Sequence, residues 1–511
     1  MRVGKGHGRI GRALRAFRSA RLLRTGDRRA ALVHDSPKPL ARLVADQLFS
    51  RVAGAERVRG NAVRLLQDGE QNYESWLAAI AAARHHVHFE NYIIRNDAIG
   101  NRFADALAAK AREGVPVRLL YDWMGCLGTW PGLWHRLRRA GVEVRCFNRP
   151  SLDSPFGWLS RNHRKTVSVD GTVGYVAGLC VGQSWVGDPR RNRPAWRDTG
   201  VEVRGPAVAD LEAAFAESWA YAGGGPPPDR AAPPPDTVPA PEGDITLRII
   251  GSKPNTMGIY RFDQTIAGVA RTSLWLTDAY FVGTTAYVRT LCDAARDGVD
   301  VRLLVPGASD LPIAKALSRA GYRPLLEAGI RVFEWDGPML HAKTAVADGR
   351  WARIGSSNLN LASWMGNWEL DVVVEDEGFA REMEAMYRRD LEHATEIVLR
   401  RGVHSAEPRP RRPSGRGSPG RLAAGAVGLG SAVTAAITNH RALGPAEAVA
   451  MAAGAVLLLL LAGLAVWLPR LLTVPLALLA AWIAVTLLVR AIRLRLAPDP
   501  DPPPPAMNTP R

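Results

Sequence analysis

Two short stretches of this 511-residue chain carry residue types that suit the chemistry of phosphate esters. His163-Arg164-Lys165 with Asp170, and His341-Ala342-Lys343 with Asp348, both read H-x-K-x-x-x-x-D. The chain has 7 lysines against 59 arginines, yet both stretches use lysine. A compact ammonium with three rotatable donors suits a phosphate oxygen in a confined pocket better than a planar guanidinium does. The repeated pattern is therefore more typical of a site than of two surface runs.

The alternation within each pattern predicts a proton carrier beside a fixed cation. On a β-strand, the histidine and the lysine two residues later point to the same face. Imidazole titrates near neutrality, so one histidine can attack phosphorus while the other protonates the leaving alkoxide. The lysines would offset the charge of the transition state. This chemistry requires no cofactor and no metal, and the His85-His86-x-His88 cluster is interpreted as structural.

The residues that follow each pattern support the same chemistry. Gly355-Ser356-Ser357-Asn358 comes after the second pattern, and Glu369 lies a little further on. Ala177-Gly178-Leu179-Cys180 comes after the first, followed by Trp196-Arg197-Asp198. Small residues permit close approach of the backbone to a phosphate, and a carboxylate can orient an imidazole through its other ring nitrogen.

Both patterns resemble the HKD motifs of the phospholipase D superfamily. The resemblance implies that the two histidines meet across a pseudo-twofold axis and that the reaction passes through a phosphohistidine. By position, it implies that His163 is the nucleophile and His341 the general acid. The catalytic set implied in this way is His163, Lys165, Asp170, His341, Lys343 and Asp348, with Ser356 and Asn358 binding substrate and Asp198 and Glu369 orienting the histidines. Cys180 departs from the family pattern, because an asparagine usually stands there.

Internal similarity predicts one α/β unit that occurs twice. The stretch 113–120 corresponds to 297–304, and each reads as a helix end, a glycine and a short apolar strand. With the resemblance, this predicts two phospholipase D-like α-β-α layered domains that form a pseudo-twofold dimer. In chain order, the expected parts are a basic amphipathic segment at 1–60, a first repeat at 61–222, a Pro/Gly-rich linker at 223–243, a second repeat at 244–400, a basic linker with a weak apolar segment at 401–443, a transmembrane helical hairpin at 444–497 and a Pro-rich tail at 498–511.

The hairpin is predicted from two uncharged runs, Val449–Leu468 and Leu471–Val489, separated only by Pro469-Arg470. Each run approaches the ~20 residues needed to span a bilayer, although a buried pair of soluble helices is the alternative. Flanking arginines favour both ends in the cytoplasm. The net charge of +17 fits either anionic phospholipid or nucleic acid, and a membrane anchor favours the lipid.

The basic N-terminal segment and the cysteines bear on where the protein lies in the cell. The basic N-terminal segment fits an amphipathic helix on anionic lipid, but also a disordered tail or a transit-like sequence. The four cysteines have no paired spacing, which indicates reduced thiols facing the cytosol.

Within the superfamily, the chain is most similar to bacterial cardiolipin synthases. The similarity rests on Phe89–Ile93, Tyr121–Gly125, Arg161–Lys165 and Trp196–Asp198. Such enzymes transfer a phosphatidyl group from one phospholipid to the hydroxyl of another, typically phosphatidylglycerol. The resemblance implies phospholipid substrates, no nucleic-acid partner, and catalytic repeats on the cytoplasmic side of a bacterial inner membrane. A hydrolytic phospholipase D and a phosphodiesterase acting on nucleic acid remain alternatives, and the oligomeric state stays open.

Overall fold

The computed structural model describes residues 49–150, 159–225, 239–311 and 318–399, and scattered helical positions between 463 and 488. Residues 1–48 of the predicted N-terminal segment, most of the Pro/Gly-rich linker and nearly all of the chain after residue 399 lie outside the described residues, and the last residues of that N-terminal segment already belong to β1. Among the residues that are described, no helix is both long enough and apolar enough to span a membrane. The predicted transmembrane hairpin therefore stays a prediction.

The first half of the described chain contains seven strands and, after a helical segment at 49–53, four helices. Its strands are β1 (Val58–Gln67), β2 (Val87–Asn91), β3 (Val117–Asp122), β4 (Glu143–Phe147), β5 (Thr166–Val169), β6 (Val173–Ala177) and β7 (Thr199–Arg204). Its helices are α1 (Asp68–Ala82), α2 (Ala98–Arg112), α3 (Pro131–Arg139) and α4 (Val208–Tyr221).

The second half contains eight strands and four helices. Its strands are β8 (Ile245–Ser252), β9 (Ser273–Thr277), β10 (Asp300–Pro306), β11 (Arg331–Trp335), β12 (Thr344–Ala347), β13 (Trp351–Gly355), β14 (Glu369–Glu375) and β15 (Ala394–Ile397). Its helices are α5 (Gly258–Val269), α6 (Thr285–Arg296), α7 (Tyr322–Glu327) and α8 (Glu377–Leu391).

All fifteen strands belong to one sheet whose order reveals the duplication. From the middle outward, the first half reads β1-β7-β6-β5-β2-β3-β4 and the second reads β8-β14-β13-β12-β9-β10-β11. The halves join where β1 and β8 pair antiparallel, with Asn61 opposite Ile245. Each strand of the first half thus has a counterpart across a pseudo-twofold axis, and β15 extends the second half. The chain therefore has the expected mixed α/β fold with a duplicated domain.

In the first half, helices cover both faces of the sheet, which gives three layers. Val167 and Val169 of β5 belong to a core cluster with Trp76 of α1 and Phe103 of α2. Ser168, which alternates with them, instead donates a hydrogen bond to a carboxylate of α4. Because alternate strand residues point to opposite faces, α1 and α2 lie on one side and α4 on the other.

Strand direction places the H-x-K motif at the equivalent end of each half of the sheet. β2 and β3 are parallel, and β5 runs antiparallel to β2 with Thr166 opposite Glu90. In the second half, Thr344 of β12 lies opposite Thr277 of β9 in the same way. Each motif enters its strand beside the point where β2 or β9 finishes. We call this the motif end of each half, and the other the far end.

Candidate active site

Backbone hydrogen bonds hold each histidine against the other half of the molecule. The His163 N–H donates to the Trp368 carbonyl at 2.8 Å, and the Trp368 N–H donates to the Arg161 carbonyl at 2.8 Å. By the same pattern, the His341 N–H donates to the Arg197 carbonyl at 2.7 Å. Trp368 and Arg197 each precede an acidic residue, so every motif is aligned with the acid that the other half supplies.

Glu369 of the second half orients His163 of the first. The His163 Nδ1 lies 3.0 and 2.9 Å from the two carboxylate oxygens of Glu369, which is fully buried at the start of β14. Burial opposes ionisation of Glu369, but contacts with His163, Lys165 and Ser356 outweigh it and lower the pKa of the carboxyl. An ionised carboxylate at Nδ1 leaves Nε2 of His163 available for chemistry.

Asp198 of the first half orients His341 of the second. The His341 Nδ1 lies 2.8 Å from Asp198 Oδ2, and the Trp185 indole N–H donates to the same oxygen at 2.9 Å. Lys343 Nζ also lies 2.9 Å from His341 Nδ1. Burial opposes ionisation of Asp198, but His341, Lys343 and Trp185 together lower its pKa. The environment of His341 thus differs from that of His163 by a direct lysine contact.

Both imidazoles are neutral near pH 7. Burial lowers the pKa of His163 to about 4, with Lys165 adding to the shift and Glu369 opposing it. Burial and then Lys343 lower the pKa of His341 to about 4, against Asp198. A neutral imidazole has one ring nitrogen with an available lone pair, which a nucleophile or general base requires.

The two motif lysines place two cations at the same buried site. Lys165 and Lys343 are both fully buried. Lys165 donates to the His163 carbonyl at 2.5 Å, and Lys343 donates to the carbonyl of His341. Burial lowers the pKa of both, to about 8 for Lys343. Since burying an ammonium is costly, a phosphate that neutralises these charges would bind favourably.

Two tyrosines contact the motif histidines, which the sequence alone does not predict. The Tyr92 ring, just beyond β2, meets the His163 ring edge to face at 4.9 Å, with Lys165 Nζ 5.2 Å from its centroid. Tyr280, beyond β9, lies 5.9 Å from the His341 ring, with Lys343 Nζ 5.9 Å from its centroid. The sequence contains a signal for these contacts, because both tyrosines follow corresponding strands. The spacing from the equivalent strand position to the tyrosine differs by one residue in the two halves, so the correspondence is not evident from the sequence.

Asn358 and Cys180 occupy equivalent positions after β13 and β6. Asn358 is 5% exposed, and its side-chain oxygen has no hydrogen-bond partner among the described residues. A buried amide of this kind is suited to a ligand. Burial raises the pKa of Cys180, although Lys165 and Lys343 act in the opposite direction. Cys180 is therefore a neutral thiol beside the lysines, where the first half lacks an amide.

The expectation that Ser356 binds substrate does not fit its contacts. Ser356 is fully buried, and its hydroxyl donates to Glu369 Oε2 at 2.5 Å. The Leu370 N–H donates back to the same hydroxyl at 3.0 Å. Ser356 therefore supports the acid that orients His163, because its single O–H donor is already used inside the protein.

The catalytic role expected of Asp170 and Asp348 also needs correction, because each lies at the far end of its half. Asp170 stands five extended residues beyond Lys165, which at about 3.3 Å per residue is a separation of roughly 16 Å. Its carboxylate accepts backbone N–H groups of Arg84, His85 and His86 at 2.7–2.9 Å. Asp348 accepts the N–H groups of residues 271–273 in the same manner. Both aspartates tie strand ends together and do not reach the histidines.

One cluster of metal-ligand types occurs among the described residues, also at the far end. His86, His88 and Glu212 bring ligand atoms within 4.8 Å of one another. Glu212 is hydrogen-bonded to His88 Nδ1 at 2.6 Å, to His86 Nε2 at 3.2 Å and to the Ser168 hydroxyl at 2.5 Å. Arg118 NH1 lies 3.2 Å from the second ring nitrogen of His88, so both nitrogens of this imidazole have partners inside the protein. These contacts support a structural role.

A duplicated α/β fold that joins two H-x-K motifs in one buried site defines an enzyme of the phospholipase D superfamily. The family described as "Cardiolipin synthase, PLD-like domain" matches residues 76–186 and 265–391. Cardiolipin synthase 1 of Bacillus anthracis is 32% identical over 363 residues, covering 69% of this chain and 70% of the relative. Cardiolipin synthase A of Pseudomonas aeruginosa (strain LESB58) is 37% identical over 353 residues, covering 68% and 70%. The chain belongs to the cardiolipin synthase family and is a phosphatidyltransferase.

A solved structure shares the fold. Phosphatidylserine synthase of Haemophilus influenzae Rd KW20 superposes with a TM-score of 0.54 at 12% identity, covering 69% of this chain and 91% of that one. At this level of identity, the likeness concerns the fold alone.

Proposed function

We propose that this enzyme makes cardiolipin by moving a phosphatidyl group from one phosphatidylglycerol to the hydroxyl of another, through a phosphohistidine on His163. The observation that carries the proposal is the reciprocal arrangement of two histidine–carboxylate pairs, each assembled from both halves and each beside a buried lysine. Two such pairs provide a nucleophile and a proton carrier for a two-step displacement.

The carboxylates at Nδ1 fit the roles proposed for the two histidines. The Glu369 carboxylate keeps a proton on Nδ1 of neutral His163, so Nε2 holds the attacking lone pair. At His341, the Asp198 carboxylate accepts from Nδ1–H, and a bound phosphate raises the pKa of the ring, so that an imidazolium with a second proton on Nε2 forms. That Nε2 proton is delivered to the leaving alkoxide, which leaves His341 neutral. We assign His163 as the nucleophile and His341 as the acid.

In the first step, Nε2 of His163 attacks phosphorus and the phosphorus–oxygen bond to the glycerol head group breaks. His341 gives its proton to the departing alkoxide, which leaves as glycerol. In the second step, the hydroxyl of a second phosphatidylglycerol attacks the phosphohistidine, His341 takes up the hydroxyl proton, and the phosphorus–nitrogen bond breaks. The products are cardiolipin and the starting enzyme, so the cycle consumes no cofactor.

The lysines and Asn358 stabilise the phosphoryl group during both steps. Lys165 and Lys343 hold the non-bridging oxygens, and the side-chain NH2 of buried Asn358 supplies a further donor from the second half. Preorganised donors in a site closed to water stabilise developing charge more strongly than the same groups would in water.

We also propose that the enzyme acts at the cytoplasmic side of a bacterial inner membrane. Support comes from the sequence, since the uncharged runs at 449–468 and 471–489 are flanked by arginines. Nucleic acid is not proposed as a substrate, because a membrane anchor brings the site to lipid.

Labelled phosphatidylglycerol in mixed micelles tests the reaction directly. Purified enzyme should produce cardiolipin and free glycerol in equal amounts, and the His163→Gln and His341→Gln variants should produce neither. Phosphatidic acid as the sole lipid product would instead identify a hydrolase. Cleavage of a nucleic acid without any lipid product would contradict the proposed substrate class.

A further inference from the structure

Exposed apolar side chains are concentrated at the motif ends of the two halves. Between residues 49 and 399, ten large apolar side chains are exposed among the described residues. Eight of them lie in loops or helix ends at the motif end: Leu127, Trp130, Leu159, Tyr221, Val282, Leu311, Leu361 and Met365. Trp130 is 66% exposed and Leu127 is 62% exposed. We call these eight residues the apolar rim.

The connections at the far end have a different composition. The turns at 83–86, 113–116, 170–172, 271–272 and 348–350 consist mainly of charged or polar residues, glycine and proline, and none of them exposes a large apolar side chain. Val398 and Leu399, which follow β15, are the large apolar side chains exposed at that end within the described residues. Isolated apolar residues on a surface need no explanation, but eight at the ends of the two halves that carry the histidines do.

Loops of both halves contribute to the apolar rim. Leu127 and Trp130 follow β3, and the Thr129 hydroxyl between them donates to the Ile94 carbonyl at 2.6 Å, which fixes this loop beside the segment after β2. Leu361 follows β13, and the neighbouring Asn360 amide donates to the Tyr280 carbonyl at 3.0 Å. The rim is therefore attached to the two segments that carry the active-site tyrosines.

The charges among the rim residues complement an anionic surface. Five arginines are exposed in the described loops of the motif end: Arg95, Arg149, Arg190, Arg191 and Arg193. The exposed acids in the described loops of that end are Asp310, Asp336 and Glu392. Apolar side chains that enter the acyl region, surrounded by cations at head-group level, are typical of proteins that lie on anionic bilayers.

We propose that the apolar rim docks on an anionic lipid bilayer, so that both halves of the site open directly onto the lipid and a lipid head group reaches the histidines without leaving the membrane. This proposal rests on the proposed function for its substrate, since a site for lipid phosphates needs access to lipid. It adds a docking surface that is separate from the C-terminal apolar runs. Anchoring by those runs alone would leave the orientation of the site undetermined.

Fluorescent probes on the full-length chain test the contact without any need for turnover. Leu127→Cys, Leu361→Cys and the control Val398→Cys are each labelled with a polarity-sensitive NBD group and bound to phosphatidylglycerol vesicles. The parent chain, whose Cys126, Cys180 and Cys292 are buried, gives the labelling background. Probes at 127 and 361 should shift to the blue and be quenched by acyl-chain-brominated lipid, whereas the probe at 398 should do neither.

Other results would overturn the proposal. Probes at 127 and 361 that remain as exposed to water as the probe at 398 would show that the motif end faces away from the bilayer. Shielded probes that brominated lipid cannot quench would show that protein, from this chain or from a second copy, covers the rim. Because these readouts need no catalysis, a failure of the proposed reaction would leave them interpretable.

A kinetic comparison extends the test to function. The double variant Leu127→Ser/Leu361→Ser should lower the ratio of vesicle activity to micelle activity by about tenfold, because each lost apolar side chain weakens the bilayer contact. The matched variant Val398→Ser/Leu399→Ser should keep the parent ratio. Equal ratios in all three proteins would contradict docking through the rim.

Discussion

His341 in the second half is held by Asp198 in the first half, with 2.8 Å between Nδ1 and Oδ2. Glu369 in the second half makes the corresponding contact with His163 in the first, with 2.9 Å between Oε2 and Nδ1. Each imidazole thus receives its orienting carboxylate from the opposite repeat. A buried bidentate ion pair between Arg197 of the first half and Asp390 on α8, with N–O distances of 2.8 and 2.9 Å, stabilises the same junction. Neither repeat alone contains both members of a histidine–carboxylate pair, so each pair requires both halves of the chain.

Replacing Glu369 and replacing Asp198 should slow different steps of the reaction. Glu369→Gln should slow attack by His163 by at least about 10²-fold, because the carboxylate holds the imidazole in the attacking tautomer. Asp198→Asn should slow protonation of the leaving alkoxide. A phosphatidyl ester of p-nitrophenol, whose leaving group needs no proton, separates these effects. The first burst of nitrophenol should be restored in Asp198→Asn but not in Glu369→Gln, and equal bursts would contradict the assigned roles.

Asp170 and Asp348 should matter for stability more than for chemistry. Asp170→Asn weakens three charge-assisted hydrogen bonds to backbone N–H groups, and should lower the free energy of unfolding by about 1–3 kcal/mol. Asp348→Asn should act in the same direction. Urea unfolding measures the loss, and the turnover of the remaining folded protein should stay within about threefold of the parent. Loss of turnover in fully folded variants would restore a catalytic role for these residues.

Binding of a tetrahedral dianion should draw protons into the site. Burial holds the pKa of His163 and His341 near 4 and that of Lys343 near 8, and a bound dianion favours each charged form, so it raises all three values. Sulfate should therefore be bound with proton uptake by the histidines at pH 6 and by Lys343 at pH 8. By linkage, sulfate affinity should increase as pH falls.

Calorimetry in two buffers of different ionisation enthalpy measures this uptake. The His163→Gln/His341→Gln variant should lose the uptake at pH 6 and keep it at pH 8. Proton release on binding, or uptake at pH 6 in the double variant, would contradict the proposed electrostatics.

Cys180 and Asn358 should contribute unequally although they occupy equivalent positions. Asn358→Ala removes an amide donor and should reduce kcat/KM by more than about tenfold, whereas Cys180→Ala removes a weak thiol donor and should change it by less than about threefold. Steady-state kinetics with phosphatidylglycerol measures both. An equal loss in the two variants would show that the thiol contacts the phosphoryl group.

The sequence predicts the parts of the site better than their connections. The repeated H-x-K pattern together with the corresponding stretches 113–120 and 297–304 predicts a duplicated α/β fold, and the lysine usage identifies Lys165 and Lys343 as special. That Asp198 serves His341 and Glu369 serves His163 depends on how the halves dock along β1 and β8, and no local pattern encodes this long-range geometry. The fixed spacing between Lys165 and Asp170 in the motif suggests a shared catalytic role. The strand between them instead carries Asp170 to the far end, away from the histidines.

The tyrosines illustrate a second limit of the sequence. Tyr92 and Tyr280 lie beside equivalent histidines, but the chain reaches them through connections that differ by one residue, so comparison of the repeats by offset does not pair them. Ser356 was misassigned for a related reason. A small polar residue near a motif can face the ligand or support an acid, and only the contact with Glu369 decides between them.

The central claim is a covalent intermediate on His163, and trapping it is the most direct test. The His341→Gln variant should form the adduct from the p-nitrophenyl ester and release it slowly, because no base remains to activate the incoming hydroxyl. The reaction is quenched in alkaline denaturant, since the phosphorus–nitrogen bond is acid-labile, and digested for mass spectrometry. The account predicts a phosphatidyl group on the peptide that contains His163. An adduct on His341 in the parent enzyme, or cardiolipin formation with His163 unmodified at every time point, would contradict it.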